Sequence, residues 1–207
     1  MLNIALKIVR KIRYVFSKAY NRILFARNPQ ITLTGKTKPI VIGHVYLKIE
    51  KNASLVVGDK FLMYCGFGQN PIGRNIFSAI YIEKDATVKI GDNVGVSNST
   101  LWAAKGIFVG NNVNIGADSL IIDTDCHSLY FADRRIHEKD QTNKKAKEIY
   151  IGDDVLIGAR CIILKGVSIG ARSIVGAGSV VTKSIPADEI WAGNPAVFVR
   201  KINYVED

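Results

Sequence analysis

Residues 151–186 read IGDDVL, IGARCI, ILKGVS, IGARSI, VGAGSV and VTKSIP, and this run of hexads decides the fold. Every hexad opens with isoleucine or valine, and in four of them glycine follows at once. The fifth residues are all small or β-branched: Val155, Cys161, Val167, Ser173, Ser179 and Ile185. A repeat of six fits neither a helix nor an alternating strand, and short fixed repeats are typical of solenoids. The stretch therefore predicts a parallel β-helix.

The hexads also predict how the coils stack. The opening aliphatic residue points inward and lies over its counterpart in the next coil, so that each coil buries its neighbour's face. The glycine after it, as at Gly152 and Gly158, permits backbone conformations at a corner that other residues resist. Cys161, on the fifth-position row, is then expected to be a small core residue.

Weaker copies of the pattern precede this stretch. The aliphatic row includes Ile82, Ile90, Val96 and Val109, but the first step is eight residues and the last is thirteen. We expect an extra residue or a bulge at a corner to explain each irregular step. The glycine-rich segment 64–79 lacks the row altogether.

One long polar segment interrupts the repeats. The sixfold pattern stops near His127 and returns only at Ile151, and residues 132–148 are polar and highly charged. Such residues cannot form the wall of a β-helix, so residues 128–148 are predicted to leave it as a loop excursion. Long excursions on regular scaffolds usually carry function.

The first residues predict a basic amphipathic helix. Apolar residues recur at helical spacing over residues 3–25. Residues 1–27 contain seven lysines and arginines and no acidic residue, so they carry +7 of the net charge of +10. The segment has no uninterrupted apolar run of about 18 residues, and no small-residue cleavage site follows it. Neither a membrane-spanning helix nor a signal peptide is therefore expected.

Two interpretations of this helix remain open. A basic amphipathic helix can lie peripherally on an anionic membrane surface. It can instead pack its apolar face on the β-helix or on a neighbouring subunit and cover the open end of the solenoid. Nucleic-acid binding is not expected, because no reading motif accompanies the charge. The chain is thus divided into a helical arm over residues 1–27, a β-helix domain over residues 28–202 and a tail over residues 203–207.

Length and composition favour a folded protein of one domain. The chain has 207 residues, of which 48% are hydrophobic and 22% charged, so a sizeable core is expected. Its three cysteines have no regular spacing, which argues against a disulfide framework. We therefore expect a reducing, cytoplasmic setting, at the inner face of the membrane if the helix binds lipid.

The hexads, the histidine-bearing segment before them and the sequence WAGNPA at residues 191–196 resemble the hexapeptide-repeat acyltransferases. The similarity is greatest to the galactoside, maltose and colanic-acid O-acetyltransferases and covers roughly residues 40–202. It implies an all-β solenoid, a left-handed parallel β-helix, that assembles as a homotrimer. It also implies acetyl-CoA as acyl donor, no metal, and a carbohydrate hydroxyl as acceptor, in surface polysaccharide biosynthesis.

His127 is the predicted general base. It lies at the root of the excursion, where the resembled family has its base. The chemistry requires one, because a sugar hydroxyl attacks a thioester only if a base takes its proton, and imidazole titrates near neutral pH. Asp125 or Asp123 is expected to orient the imidazole, unless a backbone carbonyl does so. Cys126 is not expected to be a nucleophile, since the family forms no covalent acyl-enzyme.

The resemblance also implies an acceptor-contacting residue at Asn98, in the sequence VSNST. Acidic residues that galactoside acetyltransferases carry after this position are missing, and Trp102, Ala103 and Ala104 stand there instead. The acceptor is therefore expected to differ.

Acetyl-CoA is expected to lie in a groove between two subunits. The family's backbone-contact positions fall on Ala159 and Ala177, and an N–H near Gly158 and Ala159 is a candidate donor to the thioester oxyanion. Basic and polar side chains of the family's donor site fall on Thr182, Lys183 and Arg200. The chain departs from the pattern at Leu156 and Val197, so either Lys165 and the excursion's Lys144 and Lys145 compensate, or CoA binds more weakly.

Three other functions are considered. One is N-acetylation of an amino-sugar nucleotide, and another is a non-catalytic β-helix scaffold. The third, a metal hydrolase on the same solenoid, needs three zinc-binding histidines at one subunit boundary. The chain's histidines are His44, His127 and His137, and the last of these is in the charged excursion.

Overall fold

The structure, a computed structural model, describes residues 2–66 and 77–203. Most of the glycine-rich segment 64–79 lies outside the described residues, as does the predicted tail except for its first residue. Helix α1 spans Leu2–Arg27, slightly longer than predicted, and helix α2 spans His137–Asn143. The rest of the described chain is mainly β-structure, in three sheets.

Sheet I contains β1 (Ile31–Leu33), β4 (Ser54–Val57), β7 (Thr87–Ile90), β10 (Gly106–Val109), β13 (Ile149–Ile151) and β16 (Ser168–Ile169). Sheet II contains β2 (Ile40–Gly43), β5 (Leu62–Cys65), β8 (Gly95–Ser97), β11 (Asn114–Ile115), β14 (Leu156–Ile157), β17 (Ile174–Val175), β19 (Glu189–Gly193) and β20 (Ala196–Lys201). Sheet III contains β3 (Val45–Ile49), β6 (Ser78–Ile82), β9 (Thr100–Ala103), β12 (Leu120–Ile122), β15 (Ile162–Ile163) and β18 (Val180–Val181).

The chain visits sheets I, II and III in turn, so each set of three consecutive strands from β1 to β18 forms one coil. Coil 1 is β1–β3 and coil 6 is β16–β18, and their pairing is parallel throughout. The predicted left-handed parallel β-helix is confirmed. Strands β19 and β20 pair antiparallel after the last coil and close that end of sheet II.

The core is a set of columns that run along the solenoid. One column aligns Val57, Ile90, Val109, Ile151, Ile169 and Ile185 in successive coils. The fifth residues of the hexads, including Cys161, are all buried as predicted. Stacking identical aliphatic positions in this way buries a continuous apolar core along the axis.

The irregular steps upstream have two causes, and only one of them is the predicted extra residue. In the early coils a strand presents two inward residues instead of one, and Val88 as well as Ile90 is buried in β7. Val88 follows Ile82 by six residues, so the next inward residue after Ile82 is Val88. The step of eight arises because Ile82 was compared with Ile90 instead. The step of thirteen passes over sheet III, where Leu101 and Ala103 in β9 face the core. Ile90 and Val109 are nevertheless paired 19 residues apart, one more than the 18 between Ile151 and Ile169, so the extra residue predicted for the step of thirteen is present.

The hexad glycines also act differently from prediction. A Cβ at Gly158 would lie 2.6 Å from the backbone nitrogen of Ala177 in the next coil, so glycine is needed for close stacking. The positive φ angles fall two residues later, at Arg160 (59°) and Arg172 (62°). The corner strain is therefore borne by residues after the glycine.

The second half of α1 packs on the first coil. Phe25 is 2% exposed and belongs to the core. The Asn21 amide donates to the carbonyl oxygens of Val41 and Gly43 at 3.0 and 2.8 Å, and the Gly43 N–H donates to Ser17 Oγ. Of the two interpretations, packing on the solenoid holds for residues 17–25, although the apolar row that was expected to make this contact, including Ile12, Phe16 and Ile23, is exposed. Among the described residues, no helix is long and apolar enough to cross a membrane.

The excursion leaves the β-helix after β12 and returns at β13, so it begins five residues earlier than predicted. Its two ends run side by side: Asp125 N donates to Lys145 O, and Lys147 N donates to Asp123 O, both at 2.9 Å. This neck fixes the excursion to the corner between sheets III and I.

Candidate active site

His127 forms a close pair with a carboxylate of the excursion. Its Nδ1 lies 2.6 Å from Asp140 Oδ2, and the imidazole is 65% exposed while the carboxylate is only 7% exposed. A carboxylate bound at Nδ1 holds the proton there and leaves the Nε2 lone pair free. The pair is therefore arranged to accept a proton from a group that approaches the exposed side of the ring.

Asp140 is held in place by the excursion itself. Its Oδ1 accepts the backbone N–H of Ser128 at 2.7 Å, and its position in α2 fixes the other oxygen toward His127. These bonds, with the His127 bond first, hold the pKa of Asp140 below its usual value. The neighbouring Ser128 hydroxyl donates to Asp133, so the turn around His127 is braced from both sides.

Neither predicted orienting residue reaches the imidazole. The carboxylate of Asp123 is buried and accepts the backbone N–H groups of Ala104, Lys105 and Gly106 at 2.6–2.8 Å, so it secures the preceding turn. Asp125 Oδ1 lies 2.5 Å from Lys165 Nζ in the next coil. Both carboxylates are bonded to other partners, and the carboxylate that contacts the His127 imidazole is that of Asp140, so the orienting role predicted for Asp125 was wrong.

Asp140 was missed because it lies 13 residues beyond His127 in a segment without periodicity. Its signal in the sequence is weak: an acidic residue on a short helical stretch within the excursion. Only the fold of the excursion brings it to the imidazole.

Cys126, the neighbour of His127, is a poor nucleophile in this setting. Burial raises the pKa of its thiol, with the nearby carboxylate of Glu83 acting in the same direction. The thiolate, which is the reactive form, is therefore disfavoured. This agrees with the prediction that Cys126 takes no covalent part.

The three sheets form the three walls of the β-helix, and the turns between the walls form its edges. The other predicted site residues lie on two of these edges. The II–III edge consists of the turns from sheet II to sheet III, and it contains Asn98, Ala159 and Ala177 in coils 3, 5 and 6. Backbone bonds join these turns: Asp118 N to Asn98 O, Arg160 N to Ala117 O, and Gly178 N to Ala159 O. The positions therefore form one line along the solenoid.

The III–I edge consists of the turns from sheet III to sheet I. It contains His127, Lys165, Thr182 and Lys183, in coils 4, 5 and 6. Thr182 and Lys183 are exposed, whereas Lys165 is paired with Asp125. Within one chain, His127 and Asn98 thus lie on different edges.

Asn98 occupies a constrained position on the II–III edge. It is 1% exposed, has a positive φ of 40°, and its amide nitrogen lies 3.5 Å from Gly66 O. Its Oδ1 is buried without a hydrogen-bond partner among the described residues, as is Asp125 Oδ2. An unsatisfied buried oxygen costs about 1–3 kcal/mol, so a donor from outside the described chain would be stabilising there.

The predicted oxyanion donors are only partly available. Gly158 N donates to Val175 O at 2.8 Å, so it takes part in the stacking of coils and not in ligand binding. This leaves Ala159 as the candidate donor at that turn. Arg200 is exposed on β20, and Lys144 of the excursion is paired with Glu83 at 2.6 Å. Lys144 is therefore not a free cation for a phosphate.

A cavity opens at the other end of the II–III edge. It has a volume of about 450 Å³ and lies between α1 and the corner turns of coils 1 and 2. Its lining residues are Arg13, Phe16, Ser17, Tyr20, Gly43, His44, Cys65 and Gly66. Because Asn98 contacts Gly66, the cavity continues the line of Asn98, Ala159 and Ala177.

Fold and site together define a solenoid that presents a histidine–carboxylate pair for general-base chemistry. Among the described residues, no group of three or more histidine, cysteine, aspartate or glutamate side chains could hold a metal ion.

Known proteins agree with this class. Residues 148–183 match the model of the hexapeptide repeat of succinyl-transferase. The galactoside O-acetyltransferase of Escherichia coli is 31% identical over 190 residues, which cover 84% of this chain and 81% of the relative. That of Lactococcus lactis is 43% identical over 142 residues, covering 68% of this chain and 65% of the relative. The chain thus spans slightly under two thirds of the length of the Lactococcus protein.

A solved structure is also similar. The hexapeptide-repeat acetyltransferase of Vibrio cholerae, complexed with acetyl coenzyme A, is 34% identical with a TM-score of 0.53, covering 60% of this chain and 66% of that one. The chain belongs to the hexapeptide-repeat acyltransferase family.

Proposed function

We propose that the protein transfers an acetyl group from acetyl-CoA to a hydroxyl group of a carbohydrate, with His127 as general base. The observation that carries the proposal is the His127–Asp140 pair, exposed at Nε2 and fixed at Nδ1. The E. coli and Lactococcus relatives are galactoside O-acetyltransferases, which supports a sugar acceptor.

The reaction is a direct transfer. His127 Nε2 takes the proton of the acceptor hydroxyl while that oxygen attacks the thioester carbonyl. The tetrahedral intermediate collapses with loss of the CoA sulfur, which receives the proton back from the imidazolium. The products are the acetyl ester and free CoA thiol. Asp140 stabilises the imidazolium in between but does not itself contact the reacting atoms.

Acetyl-CoA is the proposed donor, as in the Vibrio acetyltransferase complex. Its extended arm fits the II–III edge, where Ala159 and Ala177 present small side chains. The cations for its phosphates are Lys183 and Arg200, which are exposed near the end of the solenoid. Lys165 is omitted from this set because it is paired with Asp125.

The proposal includes a homotrimer, which the positions of the two edges support. In one copy, the base His127 lies on the III–I edge, whereas Asn98, Ala159 and Ala177 lie on the II–III edge. Neither edge of a single copy therefore contains both the base and the donor-binding positions. In a closed ring, the III–I edge of one copy can face the II–III edge of the next, which completes every groove identically.

The acceptor is placed at the cavity between α1 and coils 1 and 2. Its volume of about 450 Å³ is within the range of small-molecule sites, and Arg13, Tyr20 and His44 supply polar groups for hydroxyls. Asn98 lies beside the cavity through its contact with Gly66, and its buried Oδ1 has no partner among the described residues. The proposed biological role is acetylation in surface polysaccharide biosynthesis, in the cytoplasm at the inner face of the membrane.

Release of free CoA thiol in the presence of a panel of sugars and amino-sugar nucleotides tests the proposal. We expect turnover with a hydroxyl acceptor, and a loss of roughly 10²–10⁴-fold in kcat for His127→Ala with acetyl-CoA binding retained. His137→Ala, in the exposed start of α2, is the matched control and should keep full activity. A His127→Ala enzyme with half the original kcat, or transfer only to amino groups, would contradict the proposal.

A further inference from the structure

Helix α1 has an apolar face that the solenoid does not use. Ser17, Asn21, Leu24 and Phe25 are the residues that turn toward coil 1. A second set of large apolar side chains is 46–72% exposed and recurs at spacings of three and four: Val9, Ile12, Phe16, Tyr20 and Ile23. This spacing places the second set, defined here as the outer stripe, along one side of the helix.

The outer stripe lies on roughly the opposite side of the helix from Asn21, at about 100° of rotation per residue. Capping the end of the solenoid therefore accounts for one face of α1 and leaves the other exposed. Isolated exposed apolar residues are ordinary, but a continuous stripe over four turns indicates a binding surface.

Basic residues lie on both sides of the outer stripe. Lys11, Lys18 and Arg22 are exposed and lie together beyond the exposed Val15 and Ala19, which separate them from the outer stripe, and Arg13 lies next to Tyr20 on the other side. Residues 1–27 have no acidic side chain, so nothing within the arm offsets this charge. The surface is thus apolar at its centre and cationic at its margins.

We propose that α1 lies in the plane of an anionic membrane surface, with Val9, Ile12 and Ile23 of the outer stripe in the acyl boundary, Phe16 and Tyr20 beside the mouth of the cavity, and the basic residues among the lipid headgroups. Such amphipathic helices bind through buried apolar area together with attraction to anionic lipid, worth about 1 kcal/mol per lysine or arginine near the surface.

The charge of the chain argues against a second copy of it as the partner that covers the outer stripe. Another α1 would bring seven more cations to the same surface, and the rest of the chain has a net charge of +3. Neither offers the negative charge that the basic margins fit, whereas an anionic bilayer does.

The docked helix would hold the cavity at the bilayer, because Arg13, Phe16 and Tyr20 line that cavity. This consequence rests on the proposed function: a carbohydrate linked to a lipid would then meet His127 without leaving the membrane surface.

Cosedimentation of the full-length protein with vesicles tests the proposal directly. We expect pelleting with phosphatidylglycerol–phosphatidylcholine vesicles at low salt, less at roughly 0.5 M salt, and none with phosphatidylcholine alone. Val9→Gln/Ile12→Gln/Ile23→Gln should reduce binding by roughly tenfold or more, because glutamine keeps helix propensity and removes apolar area. Lys11→Gln/Lys18→Gln/Arg22→Gln should do the same.

Lys89→Gln/Lys105→Gln/Lys201→Gln removes three exposed charges from the solenoid and is the matched control, which should pellet like the original protein. Melting temperatures should be equal for all variants. No pelleting at low salt, equal pelleting with neutral vesicles, or unchanged binding of the apolar variant would overturn the proposal. So would a fall in oligomeric mass in that variant, which would assign the stripe to a second copy. Acetyl transfer to a soluble sugar, measured in parallel, reports separately on the proposed function.

Discussion

Lys144 Nζ lies 2.6 Å from Glu83 Oε2, and this ion pair fastens the end of the excursion to the turn after β6. The other oxygen of Glu83 accepts the indole N–H of Trp102 at 2.8 Å. Both charged side chains are largely buried, and they are 61 positions apart in the chain. The pair therefore holds α2, with Asp140 on it, against the β-helix.

We expect Glu83→Gln to lower the free energy of unfolding by about 2 kcal/mol, since it leaves the Lys144 ammonium largely buried without its counter-ion. Urea denaturation measures the change. Glu138→Gln, an exposed acidic residue of the same excursion, is the control and should stay within about 0.5 kcal/mol. Equal stability of the two variants would mean that the pair contributes nothing to the anchoring.

Asp140→Asn tests the positioning role of that residue. We expect kcat to fall by at least about tenfold with little change in KM for acetyl-CoA, because asparagine can present its amide and leave Nδ1 as the acceptor, which is the wrong tautomer for catalysis. Asp140→Glu should recover part of the activity. If both variants lose stability and KM rises in both, Asp140 is only a structural residue of the excursion.

The lowered pKa of Asp140 also predicts a pH dependence of stability. A carboxyl group whose pKa is lower in the folded than in the unfolded protein stabilises the fold above the unfolded value, and this contribution is lost as the pH falls through the folded value. The stability difference between the original protein and Asp140→Asn should therefore be largest near neutral pH and shrink below about pH 4. Urea midpoints measured across this range give the difference. A constant difference would contradict the assigned direction.

Lys165 and Lys183 are predicted to have different roles: Lys165 stabilises the fold, and Lys183 binds a phosphate of acetyl-CoA. We expect Lys165→Met to lower stability by about 1 kcal/mol, since it leaves Asp125 without its partner, and to leave KM for acetyl-CoA nearly unchanged. Lys183→Met should raise KM for acetyl-CoA several-fold and leave the melting temperature unaltered. If Lys165→Met instead raises KM for acetyl-CoA and Lys183→Met lowers only the stability, Lys165 contributes to phosphate binding, as predicted from the sequence.

The fold could be predicted because its defining signal is local. An aliphatic residue every six positions has one physical meaning, and the pairing of Ile151 with Ile169, three hexads further along, follows from it. The repeat was harder to read in the early coils, because Val88 and Ile90 of one strand both point inward. A count that allows one inward residue per strand then measures the spacing to Ile90 and skips Val88.

A site residue could be predicted only where its amino-acid type alone indicates its chemical role. His127 could be recognised as the base because few side chains titrate near neutral pH. Its partner could not, because Asp123, Asp125 and Asp140 are chemically equal and only the fold of the neck and of α2 separates them.

Gly158 offers the sharpest test of how the coils stack. An added Cβ would meet Ala177 N at 2.6 Å and Val175 O at 3.0 Å, both backbone atoms that cannot move without shifting a coil. We therefore expect Gly158→Ala to destabilise the protein by about 1–3 kcal/mol. At Gly95 an added Cβ would meet the end of the exposed Asn114 side chain at 3.0 Å, which can rotate away, so Gly95→Ala should cost less than about 1 kcal/mol. Urea midpoints for the two variants decide the matter: equal losses would mean that backbone freedom, and not the close approach of the next coil, is the reason for glycine after the inward isoleucine.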